Sequence, residues 1–284
     1  MQTTSLPGAH AAFLDRALPL LRADSRFVGV AAAGSFASGS MDEFSDLDLV
    51  IAVEPDSTAA VMGERHQIAA GLGPLVASFT GEHVGEPRVL ICLYRAEDGN
   101  APLHVDLKFV ALPDIANRVD EPVVLWERGG RVSDTLRTRD ACYPMPNLQW
   151  IEDRFWVWLH YATLKIGRGE LFEAVDFLGF LRIQVLGPLM LMEAGVQPAG
   201  VRRVETAVAP SRVVQLQATV ATYDRSSSIS CLYDAAKLYR SLRDSLGTDR
   251  LKVNEAAEGT AMEYLAAIAA RLRPSRLGSG TASS

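Results

Sequence analysis

Apolar and polar positions change period several times along this chain, and each change predicts an element. The opening 21 residues carry apolar side chains at helical spacing with Asp15 among them, which predicts an amphipathic helix. Phe27 to Ala33 is a short apolar run, as in a buried strand, and Gly34 and Ser35 break it. In SDLDLVIAV, residues 45 to 53, strand pleating puts Asp46 and Asp48 on one face and Leu47, Leu49 and Ile51 on the other. Thr58 to Leu72 reads as a helix, Pro74 to Thr80 as a short strand and Arg88 to Tyr94 as a longer one. Leu103, Val105, Leu107 and Phe109 alternate with His104, Asp106 and Lys108, a half-buried strand joined to the previous one by the turn-rich RAEDGNAP. Pro122 to Trp126 adds an edge strand, since Pro122 has no N–H to donate. The order suits a mixed sheet.

After the Pro-rich CYPMPN the pattern turns helical. Asn147 is an N-cap candidate for a helix to about Gly167, and Gly167, Arg168 and Gly169 separate it from a second helix over 170 to 195. Further helices are predicted over 201–208, 211–223, 229–246 and 252–273, the last ended by Pro274, in an antiparallel bundle. The expected organisation is therefore α+β: a mixed-sheet domain over 1–143, a helical bundle over 144–274, and a disordered Ser/Gly-rich tail over 275–284.

The chemistry lies in the first part. Glycine at 34 permits φ > 0, so the backbone can turn sharply and aim N–H groups at a phosphate. Asp46 and Asp48 converge at one strand end and would repel each other without a cation between them. Hard oxygen ligands beside a phosphate point to Mg²⁺. Asp106, on the polar face of its strand, is the third acid that two-metal phosphoryl transfer needs. Its neighbours His104 and Lys108 predict a depressed pKa.

These residues resemble the nucleotidyltransferase superfamily of DNA polymerase β-like fold. The pattern is a hydrophobic residue, Gly, Gly or Ser, a spacer of about ten residues, then Asp, a hydrophobic residue and Asp or Glu. Here it is Ala33, Gly34 and Ser35, then Asp46, Leu47 and Asp48, with Asp106 as the distant acid; the resemblance covers roughly residues 26 to 110. A sheet domain followed by helices is most similar to the bacterial aminoglycoside and lincosamide nucleotidyltransferases. The resemblance implies Mg²⁺-dependent transfer of a nucleoside monophosphate, AMP from ATP, to a hydroxyl of a small acceptor held between the domains. Asp46, Asp48 and Asp106 would be catalytic and metal-binding, and Gly34 and Ser35 would cradle the phosphates. Two other classes stay open: a catalytically silent nucleotide-binding module, and an enzyme that modifies a protein partner.

Charge sharpens the choice of substrate. The chain has 284 residues and net charge −6; residues 1–143 carry 20 Asp plus Glu against 12 Lys plus Arg, and residues 144–284 carry 14 against 16. No basic stripe follows a phosphate backbone, which argues against long nucleic acid. Three widely spaced cysteines give neither a disulfide framework nor a zinc pattern. No signal peptide is recognised, and the most apolar stretch, Phe177 to Met192, is interrupted by Arg182, so the expectation is a cytoplasmic protein with no membrane span. Arg154, Trp158, Tyr161 and Lys165 line one face of the first bundle helix, where they serve either as packing or as a nucleotide-binding stripe with Lys165 on the triphosphate. Glu170, Glu173 and Asp176 either bind a cationic acceptor or complement the helix dipole. Arg154 and His160 also match the Arg-x(4–6)-His spacing of HEPN helical ribonucleases. A six-residue step sets them about 120° apart around the helix, which disfavours that reading.

Overall fold

The computed structural model describes residues 6–95, 101–247 and 251–272, and the chain divides between Pro144 and Met145 into two compact units. The expected tail over 275–284 and most of the RAEDGNAP loop lie outside the described residues.

The first unit is a six-stranded sheet: β1 Phe27–Ala32, β2 Leu47–Val53, β3 Leu75–Gly81, β4 Glu86–Tyr94, β5 Leu103–Ala111 and β6 Val123–Glu127, in the order β3-β4-β5-β2-β1-β6. Every neighbouring pair is antiparallel except β2 and β5, which run parallel. Helices α1 Gly8–Ala23 and α3 Thr58–Gly71 cover one face, where Phe13, Leu14, Ala17 and Leu21 join Leu47, Leu49, Ile51, Leu107 and Phe109 in one core. A single turn, α2 Gly34–Ala37, follows β1 directly. Helix α4 Arg131–Leu136 packs on the opposite face, through Val132 and Leu136 against Val28, Ala52 and Val110. That approach depends on Gly29, because a Cβ there would lie 2.6 Å from Val132 Cγ2 and 2.7 Å from the Trp126 carbonyl. Strand β6 sits at the sheet edge directly after Pro122, where the missing N–H costs no ladder bond.

Among its described residues the second unit is all helical: α5 Leu148–Arg168, α6 Leu171–Leu181, α7 Gly187–Glu193, α8 Val204–Ala207, α9 Pro210–Gln217, α10 Arg225–Ser245 and α11 Glu255–Leu272. Asn147 caps α5 by accepting from the Trp150 N–H at 3.0 Å, and Gly169 closes it at φ 80°. Ile151, Phe155, Leu159, Ala162 and Ile166 form its buried stripe. Glu152 is also buried, on the same helix. It accepts from Tyr239 Oη at 2.5 Å, Trp156 Nε1 at 3.2 Å, the Asn254 N–H at 3.1 Å and Arg243 Nη1 at 3.3 Å. Burial alone would raise its pKa; the bonds from Tyr239, Asn254 and Trp156 and the Arg243 charge reverse that and hold it below the ordinary value.

Several helix limits differ from those expected. The helix expected over 170–195 is α6 and α7 joined by a π-helical stretch, Arg182–Leu186. Its 23 residues, Leu171–Glu193, are long and apolar enough to cross a membrane by length and composition, contrary to the sequence expectation. Leu178, Leu181, Val185, Leu189 and Met190 are instead buried in the unit's core, and Arg182 donates to the Thr219 carbonyl at 2.6 Å. The helix expected over 201–208 is one turn, and that over 211–223 stops at Gln217. Helix α10 starts at Arg225, four residues before the expected start, because Asp224 caps it by accepting from the Ser227 N–H at 2.9 Å.

Candidate active site

The parallel pairing of β2 with β5 builds the site. It sets Asp48 opposite Asp106 in register, so two residues far apart in sequence stand side by side on one sheet face. Their odd-numbered neighbours Leu47, Leu49, Val105 and Leu107 are buried in the core below, which fixes both carboxylates on the other side. Asp46 lies in the loop just before β2, close enough for its charge to act on Asp106.

The turn after β1 closes on these acids. The Ala33 N–H donates to the Asp48 carbonyl at 3.0 Å, and Gly34 follows at φ 58°. A Cβ on Gly34 would overlap Asp48 Oδ2, so the bare Cα is what lets the turn lie against that carboxylate. Ser35 is buried, and its Oγ has no hydrogen-bond partner among the described residues. Its carbonyl accepts from the Ser40 N–H at 3.0 Å and from Ser38 Oγ at 3.2 Å, which ties the spacer back to the turn.

Asp106 does not have the depressed pKa that its strand neighbours predict. Burial raises it and the Asp46 charge adds to the rise, while the hydrogen bond from His104 Nε2 to Asp106 Oδ1, at 2.9 Å, works the other way. Lys108 gives no help because its Nζ pairs with Glu86 at 2.9 Å. Glu86 also meets Arg88 at 2.7 Å; the Arg88 hydrogen bond, opposed by burial and assisted by Lys108, pulls Glu86 down to about 2.

The donor set fits Mg²⁺ carried by a phosphate-bearing substrate. Among the described residues, no three His, Cys, Asp or Glu side chains form a group able to hold an ion unaided. Magnesium is ordinarily held by one or two carboxylates, with water and substrate phosphates completing its shell. Paired Asp48 and Asp106, with Asp46 nearby, supply oxygen donors of that kind, and the unpartnered Ser35 Oγ is a donor suited to a phosphate oxygen.

The second unit places the other candidates among its own side chains. Lys165 pairs with Glu170 and Glu173 at 2.9 Å each and lies 5.0 Å from the Tyr161 ring centroid; the two carboxylates, Glu173 first, raise its pKa. Trp158 packs edge-on against Trp150 and Phe180, with centroids 5.5 and 5.1 Å away, and Arg154 sits 4.3 Å from the Trp150 ring. Tyr161 packs on Phe177 and donates to Glu173. His160 instead contacts Tyr264, 4.7 Å away, so Arg154 and His160 have different partners. Sequence reasoning missed His10 of α1, whose Nε2 donates to the Ser45 carbonyl at 2.7 Å and so anchors the loop that carries Asp46. The two residues are 35 positions apart and no local pattern links them.

No protein-family model matches the chain, and no curated protein matches it. Among solved structures, it is similar to an aminoglycoside 6-adenyltransferase from Bacillus subtilis, at 16% identity over 90% of this chain and 97% of that one, with TM-score 0.39. It is also similar to a nucleotidyltransferase-like protein from Exiguobacterium sibiricum 255-15, at 16% identity over 84% of this chain and 77% of that one, with TM-score 0.33. Likeness at this level carries no activity across, so the chemistry rests on the residues described above.

Proposed function

We propose that this chain is a nucleotidyltransferase that moves AMP from ATP to a hydroxyl of a small acceptor, with Mg²⁺ as cofactor and pyrophosphate as leaving group. The observation that carries the reading is the register match of Asp48 with Asp106 beneath a turn whose glycine lies against Asp48. Asp48 and Asp106, with Asp46 nearby, would hold the cation only together with the substrate's phosphates, and when bound it would neutralise the triphosphate and support charge developing at the α-phosphorus. Gly34 and Ser35 would orient the phosphates, the serine through its unpartnered Oγ. Asp106 would orient the acceptor hydroxyl and take its proton, with His104 fixing the carboxylate. An acceptor resembling an aminoglycoside suits the acidic first unit, and dependence on ATP is consistent with a cytoplasmic setting.

Lys165, proposed on sequence grounds as a triphosphate ligand, would have to exchange two carboxylates for phosphate. Lys165→Ala separates the roles: a tenfold or greater loss of ATP affinity supports the ligand, and a lowered Tm with unchanged affinity supports the ion pair.

The test of the whole reading is pyrophosphate release with each NTP and Mg²⁺ against aminoglycosides, lincosamides and simple polyols. The expected result is release that depends on ATP, Mg²⁺ and one acceptor class, and that falls on the order of 10²-fold or more in Asp48→Asn. Mg²⁺-dependent ATP binding without release from any acceptor would favour the silent module or a protein acceptor. ATP binding indifferent to Mg²⁺ would overturn the assignment.

A further inference from the structure

The sheet ends on one side at β3, and among the described residues no strand pairs with its outer edge. Its sequence, LVASFTG from Leu75 to Gly81, holds neither a charge nor a proline. Edge strands are ordinarily blunted by such residues, because an open row of N–H and C=O groups recruits another strand. The opposite edge is blunted in this way: β6 follows Glu121 and Pro122 and ends on Glu127. Strand β3 instead leaves Val76 54% and Phe79 53% exposed, and Leu93 beside it on β4 is exposed too.

The two faces of β3 differ. Ser78 lies opposite buried Cys92 and its Oγ bonds to His66 Nδ1 of α3 at 2.8 Å, so that face is turned toward the helices. Ala77 and Phe79 lie opposite Leu93 and Ile91, which in turn lie opposite His104 and Asp106. They therefore stand on the face that carries the acids, at its outer margin. The ladder to β4 is irregular between Leu75 and Ala77 and between Thr80 and Gly81, and regular from Ala77 to Thr80. That regular stretch sets where a further strand can pair.

The side chains of that stretch are complementary to themselves. Antiparallel pairing of two copies about a two-fold axis at Ser78 sets Ala77 of each copy against Phe79 of the other, and Val76 against Thr80. A small side chain then faces a large one at two equivalent positions, and the two Phe79 rings become diagonal neighbours within aromatic reach. The ends match in charge as well. Arg16 Nε donates to the Leu72 carbonyl at 2.7 Å and its guanidinium lies beside Gly73, while exposed Glu82 follows the other end of β3. The same register sets Pro74 of one copy opposite Glu82 of the other, which brings that cation toward a carboxylate at each end of the pair.

We propose that β3 pairs with β3 of a second copy of this chain, antiparallel about Ser78, and so joins the two six-stranded sheets into one continuous sheet. The axis runs normal to the sheet, so both copies present Asp48 and Asp106 on the same side. A single strand pair is small for a stable interface, which makes the dimer dependent on concentration. The inference stands apart from the nucleotidyl-transfer reading and does not depend on it.

The experiment is sedimentation velocity on the full chain between about 1 and about 200 µM, with the variants Ala77→Glu and Phe79→Lys, both at exposed positions outside the acid cluster. Wild type should move from the 30.8 kDa of one chain toward twice that mass as concentration rises. Each variant alone, shown by circular dichroism to be folded, should stay monomeric, because like charges then stand diagonally across the axis. An equimolar mixture of the two variants should dimerise at least as strongly as wild type. In that mixed pair the introduced carboxylate faces the introduced ammonium, and the second Ala77 to Phe79 contact is intact. Pairing in any other register lacks this rescue. Hydrogen exchange on wild type reads the same contact without a substitution: amides within residues 76–80 should slow by about tenfold or more from the dilute to the concentrated sample, with those of β6 unchanged. Wild type that stays monomeric, exchange in β3 indifferent to concentration, folded variants that dimerise like wild type, or a mixture that stays monomeric would each overturn the proposal.

Discussion

Replacing Gly34 by alanine tests the site with one methyl group. Two costs add. At φ 58° a side chain meets the following carbonyl, at roughly 1–2 kcal/mol. The new Cβ also overlaps Asp48 Oδ2, and restoring van der Waals contact requires that carboxylate to retreat by roughly 1 Å. Asp48 stands on a strand paired on both sides, so the retreat falls on its side chain, away from its alignment with Asp106. Stability should fall by about 2 kcal/mol, or roughly 5–10 °C in the Tm of the first unit. A misplacement of about 1 Å in a group that positions substrate can cost on the order of 10²-fold in rate. Thermal melts and pyrophosphate release should be measured for Gly34→Ala, Asp48→Ala and the double variant. In the Asp48→Ala background the steric part vanishes, so Gly34→Ala should then cost only its backbone part, a coupling of about 1 kcal/mol. Additive stability losses, or a Gly34→Ala enzyme with wild-type turnover, would refute the contact between turn and carboxylate.

Asp106→Asn should raise the Tm of metal-free protein in EDTA at neutral pH while abolishing transfer, because the raised pKa means that ionised Asp106 opposes folding. The folded state binds that proton more tightly than the unfolded chain, so this contribution weakens stability as pH rises above 3.8, and the variant should lack that slope; a lowered Tm would contradict it. Glu86 behaves oppositely: its pKa of about 2 makes its contribution fully present above the ordinary 4.5 and lost as pH falls from there toward 2, and Glu86→Gln should flatten acid unfolding in that window. Glu152→Ala strands the donors of Tyr239, Trp156, Asn254 and Arg243, and should lower the urea midpoint by an equivalent of about 3–5 kcal/mol at unchanged m-value; a loss below about 1 kcal/mol would show that water replaces the carboxylate.

The strands were legible because apolar alternation and breakers lie within single short windows. So were Gly34 with its positive φ and the strand face that carries Asp48 and Asp106. The sign of the Asp106 shift was not, since strand neighbours show which charges are near but not which are engaged. Lys108 is drawn to Glu86, and the degree of burial belongs to the assembled sheet. The His10 to Ser45 bond was hidden for the same reason, being a tertiary contact between a helix and a loop. Other misses had a local sign: Asp224 three residues before Ser227 is an N-cap pattern, and it extends α10 to Arg225. The π-helical stretch at Arg182 had a local sign too, since Gly187 and Pro188 follow it directly and Pro188 has no N–H to give the helical ladder.

The parallel pairing of β2 with β5 also sets an order of events during synthesis. The β1 and β2 segments can pair as soon as both have emerged, but the other edge of β2 must wait for β5, on the order of 60 residues later, or roughly 3–12 s of translation. Through that interval a nascent chain exposes one edge of a central, largely apolar strand, Leu47 to Val53, with Asp46 and Asp48 at one end. The β3 and β4 segments meanwhile can pair with each other, since they are neighbours in both sequence and sheet. Completing the acid cluster is therefore the same event as sealing the sheet: an aborted chain ending before residue 103 would carry two of the three acids, an open strand edge and no route to a working site.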